Sequence, residues 1–336
     1  MLLLPKAEEK MDAKRDRRSF VVNFAAVGAL SMTSCAHRDS ASRVRRIGLL
    51  VGAGYPQLVA AFKSELSRLG YVEGENIVIE VRLSAGDSAP QAAELVRLNL
   101  ELIVAAALPA ALAVRDANPT ARMVIATCPG MVSNGFAQSL ERPGGAVTGM
   151  DELPPGLTRR RMTLLKRAAP ELRRIALLST TPGTGGHETQ LAEAEQTAEA
   201  LGVAVRAYRV TSVSDFQNAF ASMLSDSMDG LLNFQGGLSL GNRQRIVDFA
   251  AQNRLPAMYQ ATLFAEAGGL MAWAPNLEEQ FRAAARYVDE ILRGASPGDL
   301  PITHPSRYYL TINSSAARAL PLTLPQALLA EADRVL

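Results

Sequence analysis

Aromatic side chains make up only 5% of the 336 residues, with a single Trp, and the chain has just two Cys and three His. So little thiol and imidazole excludes a disulfide scaffold and leaves scant material for a metal site. Neither charge sign predominates: 35 Lys and Arg face 33 Asp and Glu, and from residue 35 onward the two are equal at 29 each. Binding a phosphate backbone needs a cationic surplus, and no basic patch with interleaved aromatics replaces it, so no nucleic-acid partner is expected. The apolar stretch Phe20–Met32 is shorter than the roughly 20 residues that span a bilayer, and Asn23 interrupts it. What is present is globular: 48% hydrophobic and 20% charged residues, with 25 Gly and 18 Pro spread along the chain. The length suggests two domains with ample core, needing neither disulfide nor structural metal.

Residues Arg15 to Arg18 followed by that apolar stretch read as a signal peptide, with Met11 a more ordinary start than Met1. Within it, Arg17-Arg18-Ser19-Phe20-Val21 resembles a twin-arginine export motif. Met32-Thr33-Ser34-Cys35 resembles a lipobox with Met in place of the usual Leu, which makes Cys35 a candidate for lipidation. In a plain cleavable signal, Cys35 is instead an ordinary thiol able to pair with Cys128. Residues 36–43, small and polar, read as a tether. The expected location is the periplasm, reached by the Sec or twin-arginine route, with membrane contact only through a lipid on Cys35.

From Val44 onward, short aliphatic runs alternate with helical periods. Strands are expected over Ile47–Val51, Ile77–Val81, Leu102–Ala106 and Met123–Ala126, with helices over Gln57–Leu69, Ala89–Leu98 and Ala110–Ala117 between them. The last two strands are apolar throughout, as in a parallel sheet covered on both faces. A second series has strands at Ile175–Ser179, Val203–Val210, Gly230–Phe234, Pro256–Tyr259 and Leu270–Trp273, with helices over His187–Leu201, Val213–Leu224 and Gly241–Asn253. Arg45-Arg46-Ile47-Gly48-Leu49-Leu50 and Arg173-Arg174-Ile175-Ala176-Leu177-Leu178 open the two series alike. That echo favours two similar α/β lobes, each a doubly wound parallel sheet, joined by a hinge near the turn residues between Arg142 and Gly156. A helix over Leu277–Leu292 and a last strand over Tyr308–Ile312 imply that the chain crosses between lobes more than once. The expected division is 1–43 for signal and tether, 44–149 with 274–303 for the first lobe, and 150–273 with 304–336 for the second.

In such sheets, ligands sit outside the carboxyl ends of the strands, where loops offer N–H groups and helix N-termini. The loops so placed contain Tyr55, Leu108 and Cys128 in the first lobe, and Thr181, Gln235 and Tyr259 in the second. Tyr offers a stacking face with a polar tip, and Thr and Gln offer hydrogen bonds. Each loop also has a plain reading as a turn.

Several segments then carry a resemblance. They are Leu69-Gly70-Tyr71-Val72-Glu73-Gly74-Glu75-Asn76-Ile77, Arg142-Pro143-Gly144-Gly145-Ala146-Val147-Thr148-Gly149, Glu266-Ala267-Gly268-Gly269-Leu270-Met271, Ala284-Ala285-Arg286-Tyr287-Val288-Asp289-Glu290-Ile291-Leu292, Asp299-Leu300-Pro301-Ile302 and Leu310-Thr311-Ile312-Asn313. Together they resemble the substrate-binding proteins of ABC transporters, of the type whose characterised members take aromatic amino acids, in order from Arg45 to the end. The resemblance implies a periplasmic-binding-protein type I fold that captures a small organic solute in an inter-lobe cleft, with an inner-membrane ABC permease as partner, and no cofactor. Leu108 stands where that family usually has Thr, Cys128-Pro129-Gly130 lacks the carboxylate of its Gly-Asp-Pro, and Thr180-Thr181-Pro182 replaces an Asn-Pro pattern. Those departures weaken an amino-acid ligand, whose ammonium needs an anion. Asp151 and Glu152 near the hinge are two candidates for it, although a solvated hinge charge is their simpler use.

Catalysis finds little support. No Gly-x-Ser-x-Gly elbow or phosphate loop occurs, and His187 and His304 lack metal or triad spacing. An enzyme using Cys128 as nucleophile is the distant alternative, with Cys128 as a small packing residue the simpler reading. A binding protein that informs a membrane receptor is the other.

Overall fold

The structure is a computed structural model and describes residues 44–336 except Gly54, Pro182, Gln235 and Pro321. The signal, the lipobox, Cys35 and the tether therefore lie outside the described residues, as does Gln235.

Chain order in the first half is β1 (Arg45–Gly52), α1 (Pro56–Arg68), β2 (Ile77–Ser84), α2 (Ala89–Arg97), β3 (Leu102–Ala105), α3 (Leu108–Ala117), β4 (Met123–Cys128) and β5 (Val147–Asp151). These strands form one parallel sheet in the order β2-β1-β3-β4-β5. Every residue of β3 and β4 is buried, because helices cover both faces. Helices α1, α2 and α3 each carry Pro in the first turn, where its missing N–H and fixed φ cost nothing. The pairing of β4 with β5 shifts register between Ile125 and Cys128. Gly149 makes this approach feasible: its φ is +142°, and a Cβ there would lie 2.1 Å from the Ile125 carbonyl oxygen.

The second series runs α4 (Leu157–Ala168), β6 (Arg174–Ser179), α5 (Gly185–Leu201), β7 (Ala204–Arg209), α6 (Asp215–Ser225), β8 (Gly230–Asn233), α7 (Gly237–Gly241), α8 (Arg243–Gln252), β9 (Ala257–Tyr259), α9 (Thr262–Glu266) and β10 (Met271–Ala274). After α10 (Leu277–Leu292), the chain adds β11 (Tyr309–Ile312), α11 (Ser314–Ala319), α12 (Gln326–Glu331) and β12 (Arg334–Val335). The second sheet has seven strands in the order β12-β11-β10-β9-β8-β6-β7. It is parallel from β7 to β10, and β11 turns antiparallel to β10. Tyr309–Ile312 is thus not the last strand, since β12 pairs beside it.

Helix α10 follows β10 in sequence yet packs on α1, β4 and β5 of the first sheet. Asn276 caps it, accepting from the N–H groups of Glu278 and Glu279 at 2.9 and 3.2 Å. Phe281, Ala284, Ala285, Val288 and Ile291 form its buried stripe, at the spacing of a helix face. Burying each of the large members contributes roughly 1.5–3 kcal/mol. Three stretches therefore pass between the sheets, after β5, after β10 and before β11. Two of them pair: Asp151 N–H donates to the Thr303 carbonyl at 3.0 Å, and Thr303 N–H to that of Gly149 at 3.3 Å.

Candidate functional site

The carboxyl ends of the two sheets face each other, as the loops leaving them show. After β4, Asn134 donates to the carbonyls of Pro129 and Gly130, each at 2.8 Å, which folds the loop into a tight knuckle. Its Oδ1 accepts the Gly185 N–H at the start of α5, at 2.9 Å. A Cβ on Gly185 would lie 1.9 Å from the Ser133 carbonyl oxygen, and one on Gly186 would lie 1.9 Å from that of Pro129. Backbone meets backbone here, with no room for a side chain. Farther along, Tyr55 at the N-cap of α1 meets Arg243, the first residue of α8. Burial pushes the Tyr55 phenol above its usual pKa range, partly offset by the Arg243 guanidinium that hydrogen-bonds it. Between α1 and α9, a groove of about 560 Å³ runs past Gln57, Thr262, Asn276 and Tyr309 toward the crossings.

Under these contacts, the second lobe buries a set of uncharged polar side chains at its strand ends. Ser179, Thr180, His187, Asn233, Ser239 and Gln260 are each at most 8% exposed. Ser179 Oγ and His187 Nδ1 lie 2.7 Å apart, and the imidazole stands edge-on to Phe234 with centroids 5.8 Å apart. Burial lowers the His187 pKa, which favours a neutral ring. With its amide turned to satisfy both ends, Gln260 donates to the carbonyls of Asn233 and Phe234 at 2.9 and 3.2 Å and accepts from Ser239 at 3.2 Å. Thr180 Oγ1 and His187 Nε2 are buried with no hydrogen-bond partner. The first lobe presents Ser84 and Ser88, 3.2 Å apart through their hydroxyls, and Thr127, which donates to the Ala106 carbonyl at 2.6 Å.

Asp151 and Glu152 are not solvated hinge charges: they are 4% and 1% exposed. The Asp151 carboxylate accepts the N–H groups of Gly130, Met131 and Leu153 at 2.9, 2.7 and 2.8 Å, so it anchors the knuckle. Glu152 lies near Arg161, itself 1% exposed, whose Nε donates to the Trp273 carbonyl at 3.0 Å. Burial dominates both groups: it pushes the Glu152 carboxyl up to about 7, against the pull of Gln280 and Arg161, and brings Arg161 down to about 10. Tyr308 donates to the Glu152 carbonyl at 3.0 Å, and His304 Nδ1 lies 2.7 Å from that of Asp151, so the third crossing clasps the first.

The residues singled out from sequence fall into different settings. Tyr55 stands at the contact between lobes. Thr181 is partly exposed, and its carbonyl accepts from the Thr184 hydroxyl at 2.9 Å. Leu108, 2% exposed, packs into the first-lobe core with Leu50, Ala92 and Val114. Tyr259 is fully buried and stacks on Phe264 with centroids 4.8 Å apart. Cys128 is a free, fully buried thiol in the first-lobe core. Burial, then the charges of Asp151 and Glu152, push its pKa well up. Alkylation of Cys128 by iodoacetamide at pH 8 is therefore expected to run on the order of 100-fold slower in the folded chain than in urea. Residue-resolved mass spectrometry checks this, and comparable rates would restore the nucleophile reading. The sequence reading passed over Asn134, Gly185, Gly186 and Arg243, and weighed His187 only as a metal or triad residue. The Gly pair at a helix start was the one local signal, since Gly there implies close backbone approach.

The family model described as ABC transporter substrate binding protein matches residues 48–336. A "Tyrosine-binding protein" of Clostridioides difficile (strain R20291) is 23% identical over 312 residues, covering 88% of this chain and 89% of that protein. The solved ABC domain from Streptococcus pneumonia in complex with L-Trp superposes with a TM-score of 0.80 at 25% identity, over 87% of this chain and 99% of that one. A conserved domain protein from Vibrio cholerae gives a TM-score of 0.81 at 24% identity, over 88% of this chain and all of that one. The two-lobed periplasmic-binding-protein type I architecture expected from the sequence is shared with these structures.

Proposed function

We infer that this chain, which belongs to the ABC transporter substrate binding protein family, captures a small organic solute between its lobes and presents the closed form to a membrane permease. The observation that carries this reading is the meeting of carboxyl-end loops from both sheets, Asn134 on Gly185 and Tyr55 on Arg243, over a buried polar floor. Solute docks on one lobe, the three crossings bend, and the other lobe closes over it. Tyr55, Thr181 and Gln235 are the proposed lining, with Leu108, Cys128 and Tyr259 packed in the lobe cores behind it, and residues 44–149 with 274–303 are the proposed first lobe, opposite 150–273 with 304–336. The tyrosine and L-Trp of the two relatives set the size of solute. Nothing is turned over in this reading, and no cofactor takes part. Export by the Sec or twin-arginine route and lipidation at Cys35 are proposed from the sequence. Among the described residues, no helix is long and apolar enough to cross a membrane.

A thermal-shift screen of small organic solutes, followed by small-angle scattering, tests the reading. A binder is expected to stabilise the fold by about 2.7 kcal/mol at a hundredfold excess over its Kd. It should also reduce the radius of gyration and be recovered unchanged. A compound that is consumed, or binding with no compaction, would sink capture by closure.

A further inference from the structure

The three crossings between the sheets converge on one buried carboxyl. Glu152 lies on the first crossing, and its N–H donates to the Cys128 carbonyl at the end of β4, at 2.8 Å. From the third crossing, Tyr308 donates to the Glu152 carbonyl. Its ring also stacks with that of Trp273, where the second crossing begins, with centroids 6.2 Å apart. Arg161 of α4 acts on the Glu152 carboxyl and donates to the Trp273 carbonyl. The charged and titratable groups on the elements packed here are Asp151, Arg161, Tyr308, Cys128 and, toward Arg161, Glu193 of α5. His304 joins them from the third crossing, with Nδ1 2.7 Å from the Asp151 carbonyl.

A groove of about 360 Å³ approaches the same place from outside. Met150 before the first crossing, Asn276 of the second and Thr303 of the third all line it. Gln280 of α10, itself 1% exposed, both lines that groove and acts on the Glu152 carboxyl. The carboxyl is therefore dry only while the crossings lie as they do here.

We propose that Glu152 makes solute capture respond to pH: it takes up a proton as the lobes come together, so solute is held more tightly at pH 6 than at pH 8. The proposal rests on the capture reading above and adds its regulation. Moving the lobes apart bends all three crossings and admits water to the carboxyl, which then ionises near its usual 4.5. With the crossings packed, burial raises it to about 7. Proton uptake therefore favours the packed arrangement, an advantage that is complete below about 4.5 and lost as pH rises through about 7. Burial raises Tyr308 and Cys128 as well, so both keep their protons throughout this range.

Small-angle scattering and calorimetry on the full chain at pH 6, 7 and 8 test this. Without solute, the radius of gyration is expected to be larger at pH 8 than at pH 6 in the parent and constant in Glu152→Gln, whose amide stays neutral. The solute probes are L-tyrosine, L-tryptophan and myo-inositol, none of which titrates between pH 6 and 8. A probe that binds should do so about tenfold more weakly at pH 8 than at pH 6. At pH 6 its binding should take up a proton, which calorimetry detects in buffers of different ionisation heat. Glu152→Gln should keep the tighter affinity at every pH, and His304→Gln should keep the pH dependence of the parent. A radius and an affinity that both stay flat in the parent would overturn the proposal, as would a pH dependence that survives in Glu152→Gln or disappears in His304→Gln. If no probe binds, the radius alone decides. A probe that binds and compacts the chain equally at pH 6 and pH 8 sinks the regulation and leaves capture standing. Binding with no compaction at either pH sinks capture itself.

Discussion

Gly186→Ala is expected to weaken solute binding at least about 100-fold, or roughly 2.8 kcal/mol, while the fold itself becomes slightly more stable. The two effects have opposite signs because they act on different states. With the loops of the two lobes in contact as they are here, a Cβ at this position would lie 1.9 Å from the Pro129 carbonyl oxygen, and Gly130 packs against the same spot. Neither neighbour is the end of a flexible side chain, so neither can move aside. With the lobes apart, that Cβ would be clear of Pro129, and Ala is the better residue in the first turn of α5 by up to about 1 kcal/mol. Calorimetry with any solute that binds the parent, together with denaturation of the solute-free chain, reads both quantities. Affinity within threefold of the parent would show that closure does not bring Gly186 against Pro129.

Arg161→Met should cost about 1.4 kcal/mol at pH 8 through Glu152, because without the nearby cation the buried carboxyl takes up a proton, one pH unit above its value of about 7. On a chain of this size, that is a melting-point drop of roughly 3 °C. The penalty should shrink toward pH 5. In the fold, the Glu152 carboxyl is raised to about 7 from the usual 4.5, so folding takes up a proton between those values. A raised carboxyl contributes stability that is complete below the unfolded pKa and lost as pH rises through the folded one. Glu152→Gln removes that titration and should gain on the parent by about 3 kcal/mol across the window from pH 4.5 to above 7. The double variant, Glu152→Gln with Arg161→Met, should recover much of the loss. Urea denaturation at pH 5, 7 and 8 reads the whole series. A penalty for Arg161→Met that is equal at pH 5 and pH 8 would mean that Glu152 is not what Arg161 compensates.

Arg161 also explains why part of the fold was hard to read. Helix α4 buries Leu157, Thr158, Arg161, Met162, Leu164, Leu165 and Ala168. Its stripe has a cation in the middle and further Arg and Lys around it, so apolar periodicity does not stand out. Strand β5 was hidden by its own Gly149 and by the turn residues before it, although Val147 and Met150 are core. The continuous apolar runs of β3 and β4 and the stripe of α10 were legible, because burial on every side leaves nothing but apolar residues to write. The site was legible only as loops. Which strand-end polar residues are buried together depends on neighbours far apart in sequence: Ser179 with His187, Asn233 with Gln260. The same holds for Leu108, read as loop and placed in the core at the first turn of α3.

The position of α10 in the chain has a consequence for how the protein is made. Its stripe of Phe281, Ala284, Ala285, Val288 and Ile291 belongs to the first-lobe core, together with Ile47, Leu49, Val104 and Val124. A ribosome that has delivered the whole first sheet must still add β6 to β10 before this cover emerges. The second lobe waits longer, since Leu310, Ile312 and Leu328 complete its core near the end of the chain. Both halves finish late, the first only after α10 and the second nearer the end, so the nascent polypeptide carries uncovered sheet until translation is nearly over. That delay leaves apolar sheet surface open to aggregation while the chain is being made.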